Sequence, residues 1–417
     1  MQETKGAERM SDTRELTVED FKEASDTVKE AIVHTDLIYS PYFSDLTGNN
    51  VYFKPENLQR TGAFKVRGAF YKVSKLDEGE RARGIITASA GNHAQGVAYA
   101  ASKFGAKAIV VMPTTTPLIK VERTKDYGAE VILAGDVYDE SCEHAQQLAL
   151  ENGYTFIHPF DDLDILTGQG TIGIEILEEL PDVDAILVPV GGGGLVAGIA
   201  TVVKMLDPHV EIIAVEPSGA ASLNASLAVG EPVKLPAIST IADGTAVQET
   251  GHEIFPYLKD NVDRVITIDD EELVVAFLDM VENHKLIVEN SGLLSVAALK
   301  HLAPEGKNVV ALLSGGNMDV ITMSSVVQHG LVERDRIFTV SVLLPDKPGE
   351  LVRVASIIAG LGGNVIRLDH NQFVSTNRNA AVELRVTIEA YGTDHKESII
   401  KALDDEGLHA REIGVEL

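Results

Sequence analysis

An α/β fold built on buried parallel sheet, with a smaller ferredoxin-like unit behind it, is what this sequence predicts. Two observations carry that reading. Over most of the chain, short unbroken apolar runs rich in Val and Ile alternate with helical patterns, as strands covered on both faces do. Near residue 330 the texture changes to period-two alternation, and the elements then run βαββαβ within about eighty residues.

Taken in order, Thr17 as N-cap with Asp20 three residues on opens a first helix carrying Phe21, Ala24, Val28, Ala31 and Ile32. A strand over 84–87 leads to an alanine-rich helix, Asn92–Phe104. Ala108–Met112 is a strand, followed by a helix over 117–127 with proline in its first turn. The pattern repeats as strand 131–133, helix 138–151, strand 185–190, helix 195–205, and strands 211–215 and 308–313. Ligand sites are expected at the carboxyl ends of such strands. The polar stretch 328–336 reads as a linker. Beyond it Val340, Val342 and Leu344 share a face, and Leu351, Val354, Ala355, Ile358 and Leu361 follow a helical period. Strands over 364–369 and 381–388, a helix over 397–403 and a strand at Arg411–Ile413 complete the unit.

A chain of 417 residues exceeds one ordinary core, so two or three domains are expected. The division is a tail over 1–16, a catalytic domain over 17–327, a linker over 328–337 and a regulatory domain over 338–417. Residues 1–16 carry charges throughout without an apolar core, which fits a disordered tail and no export signal. The longest apolar stretch, 185–203, is interrupted by glycines, so no membrane span is expected. With 35 Lys and Arg against 63 Asp and Glu, the net charge of −28 repels nucleic acid and anionic membrane. Such a surface suits a salt-adapted host, and an ordinary acidic protein reads the same way. Cys142 is the single cysteine, which excludes an internal disulfide framework and fits a reducing cytoplasm.

Four segments carry the chemistry. Lys65 lies between Gly62 and Gly68, beside Phe64; a desolvated lysine becomes a Schiff-base nucleophile or general base, though a snorkelling surface Lys reads alike. Ser89-Ala90-Gly91-Asn92-His93 passes from strand to helix and offers backbone N–H groups for a carboxylate; alone it is equally a helix cap with a solvent-facing His. Gly191, Gly192, Gly193, Gly194 and Leu195 form a loop whose amides can converge on a phosphate. Gly192, Gly194 and Ala197, with Glu216 ending the next strand, also fit a dinucleotide fingerprint. Ser314-Gly315-Gly316-Asn317 is a third glycine-bearing loop after a strand. An amine, a carboxylate seat, a phosphate cup and a hydroxyl are the set that a phosphorylated aldehyde cofactor acting on an amino acid needs.

In this order and spacing the four segments resemble the threonine dehydratases (threonine ammonia-lyases) of the fold-type II, tryptophan-synthase-β-like pyridoxal-phosphate enzymes, over about His34 to Asn317. The resemblance implies two open parallel-sheet subdomains and pyridoxal 5'-phosphate held by Lys65, with Phe64 beside the ring and Asn92 at its 3-oxygen. It implies Ser89, Gly91, Asn92 and His93 around the substrate carboxylate, Gly191 to Leu195 on the phosphate, and Ser314 at the pyridine nitrogen. The substrate is then L-threonine, with L-serine second. Serine racemases of this fold carry a proton-transferring Ser where this chain has Ala90, which argues against racemisation. Some relatives bind a cation through residues like Glu216, the Ala220 carbonyl and an Asp; Ser222 stands at that last position, so no metal is expected beyond a weakly held monovalent ion.

The C-terminal unit resembles an ACT domain, an amino-acid-sensing module. Asp346 and Gly349 fall in its first turn and Asn364 at its second strand, where the resemblance implies effector binding. It implies a homodimer or homotetramer controlled by isoleucine or valine, in isoleucine biosynthesis. A catabolic serine/threonine dehydratase and a non-catalytic amino-acid sensor are the alternatives.

Overall fold

The computed structural model describes residues 15–371 and 382–415, so the tail expected over 1–16 lies almost wholly outside the described residues. The chain forms two compact units, Met1–Ile268 with Leu294–Asn317, and Asp269–Leu293 with Met318–Leu417.

In chain order the strands of the first unit are β1 (Ile38–Tyr39), β2 (Asn50–Lys54), β3 (Ile85–Ala88), β4 (Ala108–Met112), β5 (Glu130–Leu133), β6 (Thr155–Phe156), β7 (Ala185–Pro189), β8 (Glu211–Pro217), β9 (Arg264–Ile268) and β10 (Asn308–Leu312). They make two sheets, ordered β1-β2-β10-β7-β8-β9 and β5-β4-β3-β6. Apart from β1, which pairs antiparallel with β2, all neighbours are parallel. The helices that position the site are α1 (Val18–Val28), α2 (Lys65–Lys75), α3 (Asn92–Phe104), α4 (Leu163–Glu179), α5 (Gly194–Leu206) and α6 (Ser222–Val229).

Thr17 and Asp20 form the expected reciprocal cap on α1. That helix stops at Val28, and the buried Ala31 and Ile32 follow it in a turn. Pro117 is the N-cap of the helix Leu118–Asp126 and not part of its first turn. The larger sheet packs Ile186, Val188, Ile212 and Val310 against Leu166, Val196 and Ile199 of α4 and α5. Where α2 crosses α4 the backbones nearly touch: a Cβ on Gly168 would lie 2.7 Å from the Gly68 Cα. Only paired glycines permit that approach.

Beneath this crossing lies a buried charge network. All five N–H groups of Arg67 are used. Nε and one NH2 bond Glu56 at 2.8 Å each, and both terminal nitrogens reach Glu175 at 2.7 and 2.9 Å. Thr171 Oγ1 takes the fifth N–H at 3.2 Å. Lys54, fully buried, completes the network through Glu175 at 2.9 Å, Glu179 at 2.8 Å and the Thr35 carbonyl at 2.6 Å. Burial works against the Arg67 charge, but Glu56 and then Glu175 outweigh it and hold the guanidinium above its ordinary value. Burial likewise opposes the Glu175 charge, and Arg67 and Lys54 reverse that, leaving it below the usual carboxylate range.

In the second unit, β11 (Ile337–Leu344), β12 (Asn364–Asn371), β13 (Val382–Glu389) and β14 (Arg411–Ile413) form an antiparallel sheet ordered β12-β13-β11-β14. Val340, Val342, Val382, Leu384, Val386 and Ile388 meet Val354, Ile358, Ile399 and Leu403 of two helices. Those two helices are α9 (Glu350–Gly360) and α10 (Thr393–Asp405), and α7 (Asp270–Asp279) and α8 (Val320–Glu333) precede them in the chain. The stretch 328–336, expected as a linker, is helical as far as Glu333. Its polar residues face outward while Val326 and Gly330 are buried, a Cβ on Gly330 meeting Leu278 of α7, and Arg334 bonds Asp279 at 2.5 Å.

Removing the Arg67 guanidinium strands two buried carboxylates. Arg67→Met should lower unfolding free energy by about 3–5 kcal/mol, read as a lower urea midpoint at unchanged slope.

Candidate active site

Lys65 is the first residue of α2, and the loop before it is stitched to the segment following β10. The Phe64 N–H donates to the Ser314 carbonyl at 3.1 Å, Ala63 and Gly315 form an antiparallel bridge, and Gly316 N–H donates to the Gly62 carbonyl at 2.9 Å. Asn317 Nδ2 donates both to the Thr61 carbonyl at 2.7 Å and to Asn92 Oδ1 at 2.9 Å. Three of the four segments singled out by sequence are thus tied together by one carboxamide. The half-buried Lys65 Nζ donates to the Pro159 carbonyl at 2.7 Å and lies 5.3 Å from the Phe64 ring centroid.

At the carboxyl end of β3, Ser89 Oγ accepts the Gly91 N–H at 3.2 Å, which folds the turn. Asn92 then opens α3 with Gly91 as N-cap. First-turn N–H groups lack intrahelical acceptors and converge on an anion. His93 does not face solvent. It is 3% exposed, its Nε2 donates to the Ile157 carbonyl at 3.1 Å, and its Nδ1 has no partner. Burial, reinforced by the Lys65 charge, lowers its pKa to about 3, so the ring is neutral. What His93 can offer a carboxylate is therefore its backbone N–H.

The glycine loop follows β7. Gly193 has φ +98° and caps α5, a left-handed conformation that other residues rarely adopt. Gly192 rests on the Phe160 ring so closely that a Cβ would overlap it, and a Cβ on Gly194 would lie 2.7 Å from the Phe160 carbonyl. Leu195 is buried behind the loop, and Ser314 sits at the carboxyl end of β10, 3% exposed. A cup of amides at a helix N-terminus suits a phosphate; the anion seat follows β3, the hydroxyl follows β10, and the amine opens α2, whose preceding loop is bonded to the segment after β10. The residues present fit pyridoxal phosphate.

They do not fit a dinucleotide. The Glu216 carboxylate, which that reading turns to a ribose, is fully buried and accepts the Leu223 and Asn224 N–H groups at 2.7 and 2.9 Å, at the start of α6. The neighbouring Ser222 Oγ is buried without a partner. Burial pushes Glu216 up to about 7, although the two amides pull the other way.

Sequence reasoning passed over 157–161. This segment supplies the acceptors for His93 and Lys65, the ring under the glycine loop, and a second, half-buried histidine, His158. The His158-Pro159-Phe160 run itself was the available signal.

Residues 28–315 match the family described as pyridoxal-phosphate dependent enzyme. An L-threonine ammonia-lyase of Thermotoga maritima is 41% identical over 400 residues, 96% of this chain and 100% of that protein. Among solved structures, the processed form of threonine deaminase isoform 2 from Solanum lycopersicum superposes with a TM-score of 0.72 at 38% identity, covering 76% of this chain and 95% of that one. Serine racemase from Dictyostelium discoideum gives 0.69 at 37%, covering 73% and 99%.

A carboxyl raised from 4.5 to about 7 on folding contributes stability that is complete below 4.5 and lost as pH rises through 7. Between those limits the difference in unfolding free energy between the wild type and Glu216→Gln should drift by about 3 kcal/mol in favour of the variant, measured by urea denaturation at acid and alkaline pH.

Proposed function

We infer that this chain, which belongs to the pyridoxal-phosphate dependent enzyme family, deaminates L-threonine to 2-oxobutanoate and ammonia, with L-serine to pyruvate as the second reaction. The observation that carries this is the placement of the Lys65 amine where three glycine-bearing strand ends meet. Likeness to a threonine ammonia-lyase along 96% of the chain supports the same substrate.

Bound pyridoxal phosphate supplies an electron-accepting ring that stabilises negative charge at the substrate Cα. Lys65 would hold the cofactor and would then be the positioned base for the substrate Cα proton. The Pro159 carbonyl orients Nζ by accepting one of its hydrogens. Amides of Gly191, Gly192, Gly193, Gly194 and Leu195 take the phosphate, whose charge the α5 terminus favours. The Ser89 hydroxyl and the backbone N–H groups of Gly91, Asn92 and His93 take the substrate carboxylate. Asn92, oriented by Asn317, would bond the ring oxygen, and Phe64 would pack beside the ring. Ser314 would face the pyridine nitrogen, where a hydroxyl holds a proton less strongly than a carboxylate would. That weaker withdrawal would favour loss of the β-hydroxyl as water, the proton Lys65 takes from Cα matching the one the hydroxyl needs to leave. The released enamine then takes up water and sheds ammonia. Ala90 has no proton to transfer at the opposite face, so racemisation is not the main reaction.

The C-terminal unit is read as a regulatory ACT domain over 338–417. Its strand order, counted from β11, runs 2-3-1-4, which supports a ferredoxin-like sheet. Gly349, at φ +101°, caps α9, with Asp346 in the turn before it, and Asn364 Nδ2 bonds Glu389 at 3.0 Å. These are the effector residues of this reading, with isoleucine or valine as effector and a homodimer or homotetramer as the assembly. A cytoplasmic enzyme of isoleucine biosynthesis follows from it.

The test is oxo-acid release from L-threonine and L-serine by the cofactor-loaded protein. Lys65→Ala should lose the yellow colour and at least about a thousandfold in rate. Silence of the wild type toward both amino acids would sink the proposal. Added isoleucine should change the wild-type rate and leave Asp346→Ala less responsive; equal responses count against the effector site.

A further inference from the structure

We propose that His158 is a positioning residue whose unprotonated Nδ1 locks the turn carrying both the carbonyl that holds Lys65 and the ring beneath the glycine loop. The inference rests on the role of Lys65 given above and concerns how that amine is aimed.

His158 Nδ1 accepts two backbone N–H groups, Phe160 at 3.3 Å and Asp161 at 2.8 Å. An amide carbonyl could have filled this place without titrating; an imidazole fills it only while Nδ1 keeps its lone pair. The Phe160 N–H belongs to the same peptide unit as the Pro159 carbonyl, which accepts Lys65 Nζ at 2.7 Å. One planar group therefore joins the histidine on one side to the lysine on the other. A proton on Nδ1 would set an N–H against two N–H donors and turn that peptide, carrying the lysine's acceptor with it. The next residue, Phe160, is the surface on which Gly192 and Gly194 rest. Asp161, the second donor, uses its carboxylate to gather the N–H groups of His252, Glu253 and Ile254 at 2.8 to 3.2 Å. The turn thus couples the lysine, the phosphate cup and the segment behind it.

The surroundings hold the ring in the required form. It stands edge-on between Phe156 and Phe160, with centroids 6.1 and 4.8 Å away. Burial lowers its proton affinity, Asp161 and Asp162 oppose that, and Lys65 from α2 adds to it, with a net lowering; neutral His93 from α3 is the other titratable group nearby. His158 is not a catalytic residue, because nothing places it on substrate or cofactor.

The experiment compares full-length, cofactor-loaded wild type with His158→Asn and His158→Leu. The Asn carboxamide oxygen can accept the same two amides and has no proton to gain. Both the yellow absorbance of bound cofactor and kcat for L-threonine are followed from about pH 8 down to 5. In the wild type both should decline below the ordinary histidine value of 6.5. In His158→Asn the decline should flatten. His158→Leu should lose about tenfold in kcat at the alkaline end, with KM changed less and cofactor dissociating faster. The proposal is overturned if the Asn variant and the wild type decline along one curve, or if Leu behaves as wild type. Should Leu fail to fold, the comparison of wild type with Asn decides alone. A wild type that is yellow but inert toward threonine removes the assigned substrate, and the colour profile still judges His158.

Discussion

A fully buried guanidinium with all five N–H groups committed and two carboxylates around it determines how α2 begins. Arg67 sits two residues after Lys65, and Glu56 and Glu175 arrive from opposite sides, one from the segment after β2 and one from α4. Such a cluster has little net stability to give, since desolvating the charges costs about what their attraction returns. Its value lies in geometry: a bidentate fork on each side allows one orientation of the helix and one depth of insertion. Lys54 and Glu179 extend the arrangement toward the surface, so the first turn of α2 is braced from β2 through to α4.

That brace would mean little if the lysine's immediate neighbours could move. They are held by main-chain contacts of a kind that side-chain substitution hardly touches. The loop before Lys65 is paired to the loop after β10, and Asn317 extends the pairing to the start of α3. The glycine loop is pressed onto Phe160 with no room for a single methyl group. Strand ends that are far apart in sequence thereby act as one rigid wall, which is how a site can stay preorganised for charge that develops only in the reaction. His93 and His158 fit this plan, the first donating from Nε2 to the Ile157 carbonyl and the second accepting at Nδ1 from Asp161 N–H.

Much of this was legible beforehand, and the limits follow from the same physics. Strands buried on both faces announce themselves by unbroken apolar runs, so β3, β4, β7, β8 and β10 could be read directly. The strands β1, β2, β6 and β9 could not. They are short or half-exposed and exist because a neighbouring strand offers its edge, antiparallel for β1 and parallel for the others. The polar stretch 328–336 looks like a linker because only one face of α8 is buried, a property visible once α7 lies beside it. Gly62 and Gly68 marked Lys65 as a placed residue. That Gly68 serves a helix crossing with Gly168 depends on a partner a hundred positions away.

The chemistry-bearing segments were therefore determined by sequence alone, since a lysine between glycines and a glycine run after an apolar strand are local patterns with local causes. Which nitrogen of His93 is engaged, whether Glu216 could reach a ribose, and what holds Lys65 were decided only by tertiary structure. Each depends on a backbone carbonyl or amide contributed from elsewhere in the fold, and such groups are identical at every position, so no residue letter records them.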